Sequence, residues 1–158
     1  MTAMKKNGFT LIELLVTLAL ISLFATMALP LAELTVKRTQ EAELRASLRQ
    51  IREALDAHKL AADEARIAVR PGDSGYPASL NVLVEGVVDI RSPEKRLIYF
   101  LRRLPRDPFA DHGVKAGNSW GLRSYKSPYD RPQPGDDVFD VYSLSTEAGI
   151  NGIPYNEW

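Results

Sequence analysis

Between Leu14 and Ala32 the chain runs for 19 residues without a charged side chain. As an α-helix that run reaches about 28 Å, close to the roughly 30 Å hydrocarbon core of a bilayer. The segment can therefore span a membrane. Lys5 and Lys6 precede it, and no acidic residue balances them before Glu13. The positive-inside bias then leaves residues 1–8 in the cytoplasm and everything after Ala32 outside. A cleaved secretory signal peptide is the competing reading, since it too has a basic start and an apolar centre. Its small-x-small cleavage site is poorly represented, because the nearest candidates, around Ala25 to Ala28, run into Pro30.

Glu13 is the residue hydropathy leaves unexplained. A carboxylate inside a membrane helix costs roughly 2.5–3.5 kcal/mol when central and less near an interface, so it asks for a partner. Two answers stand side by side. Thr10-Leu11-Ile12-Glu13 fits a capping box, in which Glu13 bonds back to the Thr10 N–H. Alternatively, the carboxylate meets a cation on another molecule.

Composition narrows the function classes. A length of 158 residues suggests one domain, and the absence of cysteine excludes disulfides, thiolate metal sites and cysteine nucleophiles. Twenty basic residues cancel twenty acidic ones, so no global charge favours nucleic acid. No HExxH, GxSxG or P-loop pattern is present, and His58 and His112 read as surface residues.

The run Lys5-Lys6-Asn7-Gly8-Phe9-Thr10-Leu11-Ile12-Glu13-Leu14-Leu15-Val16 closely resembles the class III signal of type IV pilins and type II secretion pseudopilins. The resemblance implies cleavage between Gly8 and Phe9 by a membrane-embedded prepilin peptidase, followed by N-methylation of Phe9. It also implies that Glu13 is an assembly residue, its carboxylate meeting the new Phe9 ammonium of a neighbouring copy where water is scarce. Pro30, 21 positions after Phe9, stands where the family commonly carries proline. It withholds a hydrogen bond from the Thr26 carbonyl, so a kink or loosening of the helix is expected there.

Downstream, Leu44, Leu48, Ile51, Leu55 and Ala62 form one apolar stripe at helical spacing. Glu41/Arg45, Arg49/Glu53 and Arg52/Asp56 offer i,i+4 ion pairs on that helix. One nearly continuous helix is expected from Phe9 to Val69, ended by Pro71-Gly72. A sustained coiled coil is the lesser alternative for its second half. Ser79 is expected to cap a short stretch from Leu80 to Val84. Ser92-Pro93-Glu94 then opens a second short helix through Leu97, Ile98, Leu101 and Leu104. Strands are expected over Leu122–Tyr125 and Val138–Leu144, joined by the loop from Pro128 to Gly135. Asp136, Asp137 and Asp140 read as a solvated edge. The basic stretch Arg91–Lys126 and the acidic stretch Asp130–Trp158 are expected to pair within the domain or between stacked copies, with Arg102 and Arg103 opposite Asp136 and Asp137.

This half also resembles the major, G-type pseudopilin, through Tyr76-Pro77, Leu104-Pro105-Arg106-Asp107-Pro108-Phe109, Trp120-Gly121, Phe139-Asp140-Val141-Tyr142-Ser143-Leu144 and Asn156-Glu157-Trp158. The resemblance implies an α+β, pilin-like fold: a long N-terminal helix packed on a small antiparallel β-sheet with a C-terminal loop. It divides the chain into a leader (1–8), a membrane and assembly helix (9–32), its periplasmic continuation (33–70) and a globular domain (71–158). The implied protein is an inner-membrane subunit that polymerises into a filament. Its implied partners are further copies, prepilin peptidase, an inner-membrane secretion assembly platform and minor pseudopilins, with no nucleic acid. The alternatives are a surface pilus subunit and, from another class, a signal-anchored enzyme or binding module. Family members bind calcium in the C-terminal loop, but here that loop lacks the usual aspartates. Leu144, Glu147 and Asn151 are the remaining candidate oxygens, and the competing reading is a plain turn at Asn151-Gly152 with Tyr155 and Trp158 packed on the sheet.

Overall fold

The computed structural model describes residues 9–158, and for 27–29 the backbone alone. Two compact units divide the chain, Met1–Thr39 and Gln40–Trp158. Helix α1, Leu11–Asp63, supplies the described helical residues of the first unit and the first element of the second.

In the first unit, apolar side chains from Leu11 to Phe24 stand exposed. The helical segment contains a window long and apolar enough to cross a membrane, none of it buried. Polar side chains within it are satisfied locally. Thr17 donates to the Leu14 carbonyl (2.9 Å), Ser22 to Leu18 (2.8 Å) and Thr26 to Leu23 (2.7 Å). A hydroxyl bonded to its own helix can enter lipid without an unmet donor. Pro30 lies inside the helix, which is assigned as continuous through it.

The second unit is built on the stripe foreseen in the sequence. Leu44, Leu48, Ile51 and Leu55 of that stripe, joined by Ala54, are buried together with Leu80, Leu83, Leu101, Trp120, Val138, Val141 and Tyr155, whereas Ala62 is only partly buried. Each fully buried Leu or Ile contributes about 1.5–3 kcal/mol. The helix stops at Asp63, six residues before Val69, and Pro71-Gly72 plays no part in ending it. Its end is a Schellman motif: the Arg66 N–H bonds the Ala61 carbonyl and the Ala65 N–H bonds Ala62, each at 2.9 Å, with Ala65 at φ +51°. The left-handed turn carries Ile67 into a buried position.

Ser79 caps nothing through its side chain. Helix α2 is one turn, Val82–Glu85, with Asn81 at its N-cap and no side-chain cap. The helix expected from Ser92 is replaced by a β-hairpin, β1 (Val87–Val88) paired antiparallel with β2 (Leu97–Ile98). Ser92-Pro93-Glu94 sits in the loop of that hairpin, where the Lys95 N–H bonds the Ser92 carbonyl and Lys95 takes φ +51°. Phe100 and Leu101 both donate N–H bonds to the Leu83 carbonyl, so the chain after β2 is pinned to α2 instead of to its own preceding turn.

Strands β3 (Trp120–Arg123) and β4 (Asp140–Ser143) form the other antiparallel pair, in register Trp120↔Ser143 to Arg123↔Asp140. β4 is shorter than the expected Val138–Leu144, and β3 is as long as the expected Leu122–Tyr125 but begins and ends two residues earlier. Ser124 and Tyr125 leave β3 because the Asp137 carboxylate draws in the Ser124 hydroxyl (2.7 Å) and the Tyr125 N–H (2.8 Å). Gly121 faces Tyr142 across the pair, and a Cβ there would stand 2.3 Å from the ring. The architecture is a long helix whose apolar N-terminal half leads into small antiparallel sheets packed on its continuation, a pilin-like α+β fold.

Candidate functional site

The candidate site has two parts, one in each unit. At the N-terminal end, Phe9 is exposed and the capping box is formed: Thr10 N–H reaches Glu13 Oε2 at 3.4 Å, and Glu13 N–H reaches Thr10 Oγ1 at 3.3 Å. Both contacts are long, so the carboxylate is held loosely and keeps lone pairs for a further donor. The capping reading and the assembly reading of Glu13 are thus compatible in one geometry. Gly8, Lys5 and Lys6 lie outside the described residues.

The second part is the C-terminal loop and what ties it to α1. Glu41 is buried, and its Oε1 accepts the Ile150 N–H (2.6 Å) and the Tyr155 hydroxyl (3.1 Å). Burial and the Glu41 carboxylate push the Tyr155 phenol up to about 12, so it stays a donor. Its ring stacks on Phe109 at 4.0 Å and meets Trp158 edge-on at 5.0 Å. One and three turns further along α1, Arg45 lies over the Trp158 ring and Arg52 reaches the β4 end of the loop. Arg52 Nε donates to Asp140 Oδ1 (2.8 Å), and its Nη2 donates to the carbonyls of Val141 (3.1 Å) and Trp158 (3.0 Å). Glu41 and Arg52 therefore serve tertiary bonds in place of the expected helix pairs with Arg45 and Asp56. Asp140 is an ion-pair partner and no solvated edge.

The three residues expected to offer oxygens to calcium sit in this loop. Asn151 Oδ1 accepts the Ile153 N–H (3.1 Å), and the Glu147 carbonyl accepts the Tyr155 N–H (3.0 Å). Leu144 presents an exposed side chain. One carboxylate, one amide oxygen and the Leu144 carbonyl fall short of the six to eight oxygens calcium takes. Among the described residues no group of three or more His, Asp or Glu could hold a metal. The turn is closed by protein bonds, Gly149 N–H to Ile153 and Gly152 N–H to Gly149, each at 2.9 Å, with Gly152 at φ +79°.

Three further polar centres hold the domain. Asp107 is buried, accepting the Phe109 N–H (2.8 Å) and the Ser143 hydroxyl (2.6 Å). His58, expected at the surface, is buried against Phe100, with Nδ1 3.0 Å from the Gly75 carbonyl. A carbonyl only accepts, so Nδ1 carries the proton, and burial lowers the His58 pKa below 6.5. His112 is exposed, as expected. Asp137 bonds Ser74, Ser124 and the Tyr125 N–H, not Arg102 or Arg103. Burial works to raise its pKa, but the three hydrogen bonds together lower it. The signal for Glu41 and His58 was present in the sequence: both fall on the stripe of Leu44, Leu48, Ile51 and Leu55, three residues outside its two ends.

The geometry offers anchoring and packing surfaces, with no nucleophile–base pair among the interactions described. Comparison with curated proteins and with solved structures gave no match. Residues 3–29 match the model of the prokaryotic N-terminal methylation motif, so the chain joins a prepilin-type leader to a pilin-like α+β fold.

Proposed function

We propose that this protein is a structural subunit of a periplasmic pseudopilus acting in type II protein secretion. The observation that carries the reading is the methylation motif over residues 3–29 running directly into an unburied apolar helix. In this reading prepilin peptidase cuts between Gly8 and Phe9, and Phe9 is N-methylated. Residues 9–32 anchor the subunit in the inner membrane and then assemble it, 33–70 continue the helix, and 71–158 form the periplasmic domain. Glu13 keeps its loose cap in the membrane pool and turns to the Phe9 ammonium of a neighbour on assembly, which removes the cost of an unpaired carboxylate in lipid. Pro30 leaves the Thr26 carbonyl without its helical donor, so the helix can loosen there at little further cost. Further copies, minor pseudopilins and the inner-membrane assembly platform are its partners. The role is structural, not enzymatic.

Mass spectrometry of the membrane-extracted protein tests the processing. A chain starting at methylated Phe9 supports the reading, whereas an intact Met1 or a terminus near Ala28 overturns it. A surface pilus is the second reading. The absence of cysteine favours secretion, because pilins exposed outside the cell more often pin their C-terminal region with a disulfide. Deletion separates the two: a pseudopilin mutant retains exported proteins in the periplasm, and a pilin mutant loses surface fibres.

A further inference from the structure

The second unit carries two exposed apolar patches of opposite charge at opposite ends of its helix. The first lies on the β1–β2 hairpin. Val88 and Leu97 are direct cross-strand partners, so their side chains share a face. Ile90 and Tyr99 stand two residues beyond them, just outside β1 and β2, and the four are 41% to 60% exposed. Asp89 is neutralised by Arg66 and Glu94 by Arg96, whereas Arg91 and Lys95 have no ion pair among the described residues. The hairpin is therefore net basic. It is fixed to the far end of α1, where the Ile90 N–H bonds the Arg66 carbonyl at 2.8 Å.

The second patch is the C-terminal loop. Leu144, Ile150 and Ile153 are 44% to 56% exposed there, beside the exposed acids Glu147 and Glu157. No basic residue falls between Leu144 and Trp158. Counting Glu41 beneath the loop and Arg45 over Trp158, this end stays net acidic. It is fixed at Glu41, and from Glu41 to Asp63 the helix extends about 33 Å.

From this complementarity we infer that the basic hairpin of one copy docks on the acidic C-terminal loop of another. The occupant of each patch is a second copy of this chain. Because the two patches differ and lie at opposite ends, the contact is heterologous and head-to-tail, which propagates as a line instead of closing a symmetric dimer. The inference rests on the filament reading above and adds to it the surfaces by which the periplasmic domains meet. It also replaces the expected pairing of Arg102 and Arg103 with Asp136 and Asp137. Asp137 is engaged within its own domain, and Arg103 lines a surface pocket with Glu43 and Ser47 of α1.

The chain lacks cysteine, so introduced thiols report contacts without background. In full-length protein in its own membranes, Ile90→Cys and Ile153→Cys are made singly and together and treated with a short bismaleimide. Leu18→Cys on the membrane helix reports filament packing independently. The expected result is a ladder of multimers from the double variant, and heterodimers only when the two single variants are co-expressed. Arg91→Glu with Lys95→Glu should lower that yield about fivefold, and Glu147→Lys with Glu157→Lys should restore it. Crosslinks at Leu18→Cys without any between positions 90 and 153 overturn this inference and leave the filament standing. Dimers from Ile90→Cys alone would show a symmetric contact and overturn it too. Loss of the Leu18→Cys crosslinks as well removes the filament reading, and this inference with it.

Discussion

Glu41→Ala should be the most damaging single change in the second unit outside its apolar core. The carboxylate is 6% exposed and serves two donors, the Ile150 N–H at 2.6 Å and the Tyr155 hydroxyl at 3.1 Å. Removing it strands both. A buried donor left unmet costs about 1–3 kcal/mol, so the pair together should cost about 2–6 kcal/mol. Tyr155→Phe keeps the ring between Phe109 and Trp158 and loses one hydrogen bond to a charged acceptor, about 1.5–3 kcal/mol. In the Tyr155→Phe background Glu41→Ala strands only the Ile150 N–H, so it should cost about 1–2 kcal/mol less than in the parent chain. Urea unfolding followed by tryptophan fluorescence measures all four corners, since Trp120 is in the core and Trp158 lies against Tyr155. Strictly additive losses, with a coupling below about 0.5 kcal/mol, would show that the carboxylate and the hydroxyl do not act as a pair. Parent-like stability of Glu41→Ala would refute the tie between loop and helix altogether.

Three other outcomes are expected. Ala65 holds φ +51° at the C′ position of the Schellman motif, so Ala65→Gly should raise stability by up to about 1 kcal/mol in the same urea assay. A loss there would mean that the helix ends otherwise. His58 is kept neutral by burial, and its folded pKa lies below the ordinary 6.5. Its contribution is therefore present above pH 6.5 and lost as pH falls through the folded value, because the unfolded chain takes up the proton first. His58→Gln should flatten the stability–pH curve in that window, while the carboxylates of Asp89 and Asp137, both lowered from 3.8, act only nearer pH 4 and below. Glu13→Ala should leave membrane levels unchanged, since it removes a costly charge, yet reduce crosslinking between copies; normal filaments would make Glu13 a helix cap and nothing more.

The sequence alone determined whatever depends on local order. The charge-free run defines a helix long and apolar enough to cross a membrane, and the Gly8-Phe9…Glu13 pattern marks the leader. Spacing along α1 named the core residues Leu44, Leu48, Ile51 and Leu55 correctly, because helical periodicity is a property of neighbours in the chain. Tertiary structure decided the rest. Ser92-Pro93-Glu94 carries a helix-start pattern, but the N–H groups of Phe100 and Leu101 go to Leu83, so non-local bonding outweighed the local signal and made a hairpin. Glu41, Arg52 and Asp140 carry charges that periodicity assigns to solvent or to partners four residues away. Their actual partners lie about 90 to 115 residues distant, and only the packing of the C-terminal loop on α1 brings them together. His58 followed the same course: its place on the apolar stripe was legible, but its burial depended on Gly75 and Phe100 arriving from the following loops. A free choice between solvent and a distant acceptor is settled by the fold, since a buried polar group is tolerated only where its partner is already in place.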